Sequence, residues 1–341
     1  MISRENNFDV IRVLASLQVI IIHCITHLEI NSIYNTYIIK LFPGVLMFFC
    51  MSGFLIMSSF DRNPNIKKYT INRILRIFPG LHISLIFTLF LLLILDIIKI
   101  TELFSVPVLT WIFAQLTFFQ FWTPDVLRTW GVGTPNGSLW TIAVELQFYI
   151  ILPILVLCLK KIKLIYKILI LGITLTLVNY YRTMDSGLNE GVIDKLVAVS
   201  FIPYFSFFLT GVIIYLFWIK IKVIFEGKAI IWLIIYLIYC FSYDLQPSYH
   251  PEGFQFLANL LLSILTISAA FTYPKLGKFL KGNDISYGLY IYHMLVINTM
   301  IHLGFSKRFE YLLITILITT ILSVLSWLLI EKKALSLKNK F

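Results

Sequence analysis

The stretch RVLASLQVIIIH, residues 12–23, places an arginine and a histidine at the two ends of an otherwise apolar run. Of the 341 residues, 59% are hydrophobic and only 13% are charged, and the mean hydropathy is +0.88. This composition lies outside the range of soluble globular domains. Apolar runs of about 20 residues, which cross a ~30 Å hydrocarbon layer as helices, recur along the chain. The sequence therefore predicts an all-α polytopic membrane protein with a single membrane-embedded domain over residues 1–341.

The apolar runs predict ten transmembrane helices, at residues 10–29, 39–60, 77–98, 139–159, 164–181, 197–219, 229–243, 254–273, 285–304 and 311–331. With the amino terminus inside, most of the 28 basic residues fall in cytoplasmic segments, as the positive-inside rule requires. Both termini are then predicted to be cytoplasmic. The apolar segment 103–122 does not fit this count, and we interpret it as re-entrant or interfacial; two half-crossings or an extra crossing elsewhere are the alternatives.

The net charge of +11 does not indicate a nucleic-acid-binding protein, because the basic residues form short clusters between apolar runs. Each of the four cysteines lies inside an apolar run without CxxC spacing. We therefore predict neither a disulfide framework nor a metal site.

Arg12 and His23 are expected to project from one face of the first helix. Eleven residues at 100° each make three turns plus about 20°, and they separate the two side chains by about 16 Å. The ordinary role for such a histidine is a hydrogen bond to another helix, and Arg12 can serve as an anchor that pairs with Asp9. The alternative is a polar track that runs along the helix.

Glu145 lies about six residues inside a span entered from the outer side, roughly 9 Å below that surface. His23, about 13 residues in from the inner side, is roughly 20 Å deep, so the two residues are predicted to lie at one level of a ~30 Å layer. A carboxylate there favours the imidazolium form or holds the ring in one tautomer, which prepares a general base. The alternative for Glu145 is a structural ion pair with another buried cation.

Two further motifs carry polar residues inside spans. In FFCMSGFLI, Ser52 and Gly53 either permit close helix packing or line a site. In ISYGLYIYHMLV, His293 is predicted to lie near the level of Ser52, with an ordinary interhelical hydrogen bond as the alternative.

Basic residues also occur at a spacing that suits phosphate. Arg73 and Arg76, in RILRIFPG, are three residues apart and project from one helix face. Two guanidinium forks at this spacing can hold a phosphate or pyrophosphate, and anchoring at the inner surface is the alternative. The glycine-rich loop WGVGTPNGSLW, residues 130–140, follows no strand and is not interpreted as a nucleotide-binding loop.

Together these segments resemble the type-3 family of membrane acyltransferases, which includes bacterial O-antigen acetylases and nodulation-factor O-acetyltransferases. Five motifs occur in the family's order: RVLASLQVIIIH, FFCMSGF, RILRIFP, SLWTIAVELQFY and SYGLYIYH. The chain departs from the family where Leu146 follows Glu145 and where Leu81 and His82 replace an aromatic pair. Longer relatives append a soluble hydrolase-like domain, and we expect this chain to be a short form without one.

The resemblance implies an acyl-CoA donor, usually acetyl-CoA, and a hydroxyl acceptor on a cell-surface or lipid-linked glycan, in the inner membrane of a bacterium. It implies a catalytic pair, His23 and Glu145, in which His23 acts as the base or carries the acyl group briefly. Three arginines are expected to meet the CoA phosphates: Arg12, Arg73 and Arg76. Two residues are expected to steady the thioester or its oxyanion: Ser52 and His293. The competing interpretation is a polysaccharide exporter or flippase, whose translocation path the same buried charges would line.

Overall fold

The computed structural model describes residues 6–30, 36–159, 192–249, 253–273, 276–280 and 282–340, together with positions 162–163, 166, 170, 172–174 and 177. Within these ranges every regular element is helical, which confirms the all-α prediction. The predicted span 164–181 lies mostly outside the described residues.

The helices are numbered in chain order: α1 (Phe8–His27), α2 (Thr36–Lys40), α3 (Gly44–Arg62), α4 (Ile66–Ile94), α5 (Val106–Leu116), α6 (Trp140–Leu159), α7 (Val192–Ala198), α8 (Phe205–Ile221), α9 (Ala229–Ser242), α10 (Gln255–Ala270), α11 (Gly277–Leu280), α12 (Ser286–His302), α13 (Phe309–Ser326) and α14 (Lys332–Ser336). A π-helical turn, Trp327–Glu331, joins the last two.

Among the described residues, six helical stretches are long and apolar enough to cross a membrane: Phe8–His27, Thr36–Arg62, Ile66–Ile94, Gly137–Cys158, Ile202–Ile224 and Phe309–Ser336. Three further predicted spans correspond to helices of 14, 16 and 17 residues, α9, α10 and α12. These are shorter than the roughly 20 residues of a perpendicular crossing. The chain is a multi-pass membrane protein, while the count of ten and the cytoplasmic placement of both termini stay predictions.

The segment interpreted as re-entrant or interfacial forms α5, a helix of 11 residues. At 1.5 Å per residue α5 is about 16 Å long, roughly half of a ~30 Å hydrocarbon layer. Apolar side chains around it are exposed, among them Phe104, Val106 and Phe113. This length is the one expected of a segment that does not cross the membrane alone.

The described chain forms two compact units, each assembled from three segments. The first unit comprises Met1–Ala15, Tyr37–Tyr69 and Val144–Gly282, and the second comprises Ser16–Thr36, Thr70–Ala143 and Asn283–Phe341. The single domain over residues 1–341 stays a prediction.

In the first unit, α3 and α8 pack with their backbones in near contact at two glycines. A Cβ on Gly53 would lie 2.0 Å from the carbonyl oxygen of Phe208, and a Cβ on Gly211 would lie 2.1 Å from that of Cys50. Small residues permit such close approach between membrane helices. The packing role considered for Gly53 is therefore confirmed.

In the second unit, α12 is buried along almost its whole length and packs against α13 and the glycine-rich loop. The fully buried amide of Asn298 accepts a hydrogen bond from the backbone N–H of Val132 and donates to the carbonyl oxygens of Thr134 and Pro135, at 2.8–3.1 Å. Asn136 donates in turn to the Ile291 carbonyl oxygen, at 2.8 Å. The glycine-rich loop therefore has a structural role, which is to hold the helix that carries His293.

Candidate active site

The second unit brings together two histidines from motifs far apart in the chain. His23 Nδ1 on α1 lies 2.9 Å from His293 Nε2 on α12, and the two rings are stacked with centroids 5.1 Å apart. His293 is completely buried, and its Nδ1 lies 2.7 Å from the carbonyl oxygen of Tyr290. The interhelical hydrogen bond considered for each histidine is thus made, and its partner is the other histidine.

Further hydrogen bonds join α12, the helix that carries His293, to α1 and to the beginning of the SLWTIAVELQFY motif. The Ser16 hydroxyl on α1 donates to the Ser286 carbonyl oxygen at the start of α12, at 2.9 Å. The Tyr290 hydroxyl lies 2.8 Å from Thr141 Oγ1 and 3.3 Å from the Ser138 carbonyl oxygen. The SLWT portion of the SLWTIAVELQFY motif therefore supports the turn of α12 from which His293 projects.

The first unit brings together Ser52 and Glu145, from two other motifs. The Ser52 hydroxyl donates to Glu145 Oε1 at 3.2 Å, and the Tyr149 hydroxyl donates to the same oxygen. In the described part of this unit the carboxylate is thus held by two hydroxyl groups rather than by the cation of a structural ion pair. Glu145 lies in the first unit and His23 in the second, and their common level in the membrane stays a prediction.

An ion pair links α4 to the beginning of α12 within the second unit. The guanidinium of Arg76 donates to Asp284, whose side chain is only 8% exposed. The same aspartate accepts hydrogen bonds from the backbone N–H and the hydroxyl of Ser286, in the first turn of α12. Asp284 therefore connects a predicted donor-phosphate ligand to the helix that carries His293.

The carboxyl-terminal segment adds a third cation to the arginine pair. Lys338 is half-buried, and burial, together with the positive charges of Arg73 and Arg76, lowers its pKa to about 8. Lysine side chains ordinarily titrate near 10.4, so the lowered pKa reports burial first and the nearby positive charges second. The positive charges of these three side chains are partly offset by the carboxylate of Asp284. Together the three cations form a potential site for a phosphorylated ligand.

Arg12, the third arginine expected at the donor phosphates, lies in the first unit. Its guanidinium is 3.4 Å from Asp9, three residues earlier in the helix, and its side chain is 24% exposed. This contact is the anchoring pair considered as the alternative role. Among the described residues, no three His, Cys, Asp or Glu side chains are grouped so that they could hold a metal ion.

Sequence reasoning missed the contributions of Tyr149, Asp284, Tyr290 and Lys338. Tyr149 lies one helical turn after Glu145 within a quoted motif, and this spacing could have paired the two side chains. Asp284 comes two residues before α12, the usual place of a carboxylate that caps a helix. No local signal in the sequence connects Lys338 with arginines that are more than 260 positions away.

A family model described as an acyltransferase domain matches residues 5–331. The chain belongs to this acyltransferase family. Nodulation protein 10 of Rhizobium leguminosarum bv. viciae is 30% identical to it over 98% of this chain and 94% of its own length. The O-acetyl transferase of Shigella phage Sf6 is 27% identical over 98% and 97%, respectively. The peptidoglycan O-acetyltransferase OatA of Listeria monocytogenes is 26% identical over 75% of this chain and 45% of its own length. No solved structure matches the chain.

Membership of the acyltransferase family confirms the resemblance read from the five motifs, and the match extends through all of them. The protein is a membrane-bound O-acyltransferase. The family favours acyl-transfer chemistry over the competing interpretation, a polysaccharide exporter or flippase.

Proposed function

We propose that this acyltransferase moves an acyl group, usually acetyl, from acyl-CoA to a hydroxyl of a cell-surface or lipid-linked glycan at the bacterial inner membrane. The observation that carries the proposal is the part-buried contact between His23 and His293, which joins the first and last of the five motifs. Two relatives support the chemistry, since they are named as an O-acetyl transferase and a peptidoglycan O-acetyltransferase.

In the proposed reaction His23 removes the proton from the acceptor hydroxyl as its oxygen attacks the thioester carbon. The carbon–sulfur bond then breaks, and the thiolate of CoA takes up the proton held by the imidazolium. In the alternative mechanism, His23 first attacks the thioester carbon itself, and the CoA thiolate leaves. The glycan hydroxyl then takes the acyl group from His23 and gives up its proton. Both mechanisms need a neutral imidazole at the start.

The remaining predicted residues have supporting roles in this proposal. Glu145 is proposed to stabilise the positive charge that develops on His23. Ser52, which donates a hydrogen bond to Glu145, is proposed to steady the thioester or its oxyanion. Arg73 and Arg76, with Arg12, are proposed to bind the phosphates of CoA. Arg76 can do so while paired with Asp284, because a guanidinium has five N–H donors and the aspartate uses only part of them.

The proposal is tested with purified protein in detergent, labelled acetyl-CoA and a glycan acceptor. His23→Ala should lower acetyl transfer by about 10²–10⁴-fold, the usual contribution of a general base. Glu145→Ala should also lower transfer, by no more than His23→Ala does, because its proposed role acts through His23. A matched control is His302→Ala, because His302 is exposed at the end of α12 and its replacement should leave transfer unchanged.

Mass spectrometry of the glycan gives the product, and size-exclusion chromatography shows whether each variant is folded. Full activity of folded His23→Ala would refute the catalytic assignment. If the wild-type protein consumed no labelled acetyl-CoA in the presence of the acceptor, the result would instead support an exporter.

A further inference from the structure

We propose that His293 is a positioning residue, which fixes the tautomer of His23 and thereby makes Nε2 of His23 the basic nitrogen. The inference deepens the proposed function and rests on it for the role of His23 as a base. It follows from the order of three groups in one hydrogen-bonded chain: the Tyr290 carbonyl, the His293 ring and the His23 ring.

The Tyr290 carbonyl determines which atom donates and which accepts in each of these hydrogen bonds. A carbonyl oxygen only accepts hydrogen bonds, and it lies 2.7 Å from His293 Nδ1. A bare Nδ1 at this distance would set two lone pairs against each other, so Nδ1 carries the proton. A neutral imidazole has one N–H, and His293 therefore presents a lone pair at Nε2.

The second contact passes this assignment to His23. His23 Nδ1 lies 2.9 Å from His293 Nε2, a normal distance for an N–H donor and a nitrogen acceptor. Because His293 Nε2 has the lone pair, His23 Nδ1 carries the proton and donates it. The lone pair of neutral His23 is then at Nε2, the nitrogen opposite to His293, where it can accept a proton from an acceptor hydroxyl.

The same series of hydrogen bonds changes the role expected of His293. Its only N–H is used by the Tyr290 carbonyl, so neutral His293 has no donor left for the oxyanion of the thioester. Besides fixing the tautomer, His293 stabilises His23 after it has taken up a proton. The hydrogen bond from His23 Nδ1–H to His293 Nε2 then becomes charge-assisted and shorter. This arrangement resembles the one in which a second group orients a catalytic imidazole and stabilises its charged form.

Nearby polar groups hold Tyr290 so that its carbonyl stays in line. The Tyr290 ring packs against the His293 ring at a centroid distance of 5.7 Å, and its hydroxyl is bonded to the SLWT segment. A second histidine ring beside His23 is that of His27, one turn along α1, with a centroid distance of 5.5 Å. The two contacts that set the tautomer join Tyr290 to His293 and His293 to His23, so the assignment does not depend on His27.

A pair of variants separates positioning from packing. In His293→Gln, the side-chain amide can donate to the Tyr290 carbonyl and present its oxygen to His23 Nδ1–H. In His293→Leu, the volume is retained but the acceptor is lost. We expect kcat of the leucine variant to fall by about 100-fold or more, because a general base that is not oriented loses most of its contribution to the rate. We expect kcat of the glutamine variant to stay within about tenfold of wild type, because the acceptor for His23 Nδ1–H is retained.

The tautomer itself is measured by nitrogen NMR of the full-length protein labelled with ¹⁵N-histidine. The chain has six histidines, and the His23 signals are assigned from the spectrum of His23→Ala. In wild type, His23 should show a protonated Nδ1 and an unprotonated Nε2; in His293→Leu, the Nε2-protonated form should appear.

An Nε2-protonated His23 in the wild-type spectrum would overturn the inference. So would a folded His293→Leu variant with wild-type kcat, or equal losses in the folded glutamine and leucine variants. If instead His23→Ala remained fully active, the proposed function would fail, whereas the NMR spectrum would still decide the tautomer.

Discussion

Replacing Gly53 by alanine should force apart α3 and α8, the two helices with the closest backbones in the first unit. The new Cβ would lie 2.0 Å from the Phe208 carbonyl oxygen and 2.9 Å from its carbonyl carbon. A relaxed carbon–oxygen contact measures about 3.3–3.6 Å, so the backbones must separate by more than about 1 Å. No rotamer change can relieve this clash, because the atoms it meets belong to the backbone.

The cost of this separation can be bounded. Overpacking a well-packed core costs about 1–3 kcal/mol, and a clash with backbone belongs at the upper end. Alanine recovers about 1 kcal/mol from its better helix propensity. The net loss should therefore be about 2 kcal/mol, a roughly 30-fold change in the folding equilibrium, and larger if the facing contact of Gly211 is also lost.

The assay is thermal unfolding of the purified protein in one detergent, followed by size-exclusion chromatography of the heated samples. Gly172→Ala is the matched control, because Gly172 also lies in helical backbone and a Cβ there meets no atom of the described residues within 4 Å. Gly53→Ala should unfold at a lower temperature than wild type, and Gly172→Ala should not. Equal unfolding temperatures for both variants and wild type would refute the packing argument.

Three further outcomes are expected. Arg73→Ala with Arg76→Ala removes two cations proposed to bind the CoA phosphates, so saturation kinetics should show a KM for acetyl-CoA that is higher by about tenfold or more; an unchanged KM would remove this pair from the donor site. Lys338, whose pKa is lowered to about 8, is protonated below that pH; acetyl-CoA affinity should fall as the pH rises through 8, and Lys338→Gln should flatten this part of the profile. Asn298→Ala leaves buried groups of the glycine-rich loop without partners, so the unfolding temperature should drop by an amount that corresponds to about 1–3 kcal/mol per lost bond.

The long helices could be predicted from the sequence because hydrophobic length is a local property. The apolar runs that became α1, α4 and α6 each supply close to the 20 residues that a crossing needs. The number of crossings could not be fixed in this way. Helices such as α9, with 14 residues, depend on their neighbours and on tilt for their place in a membrane, and neither is encoded in the run itself.

The candidate site could be predicted as a set of residues but not as a set of contacts. Helical spacing places residues on a common face, and it drew attention to His23 and His293. Depth in a membrane is known from sequence only to a few residues, or several ångströms at 1.5 Å per residue. A hydrogen bond is decided within a few tenths of an ångström, so the 2.9 Å contact between rings 270 positions apart is a product of the tertiary structure.

The same limit explains why the motifs alone could not suggest the positioning role that we propose for His293. A histidine in a family motif draws attention to its side chain as a donor or base. In the proposed role, the deciding group is the backbone carbonyl of Tyr290, a group that every residue has and that no motif can mark. Because that carbonyl cannot donate, the proton on His293 must face it, and the lone pair must face His23. The chemistry of the pair therefore depends on a main-chain atom, and replacing the Tyr290 side chain should affect it only through the position of that atom.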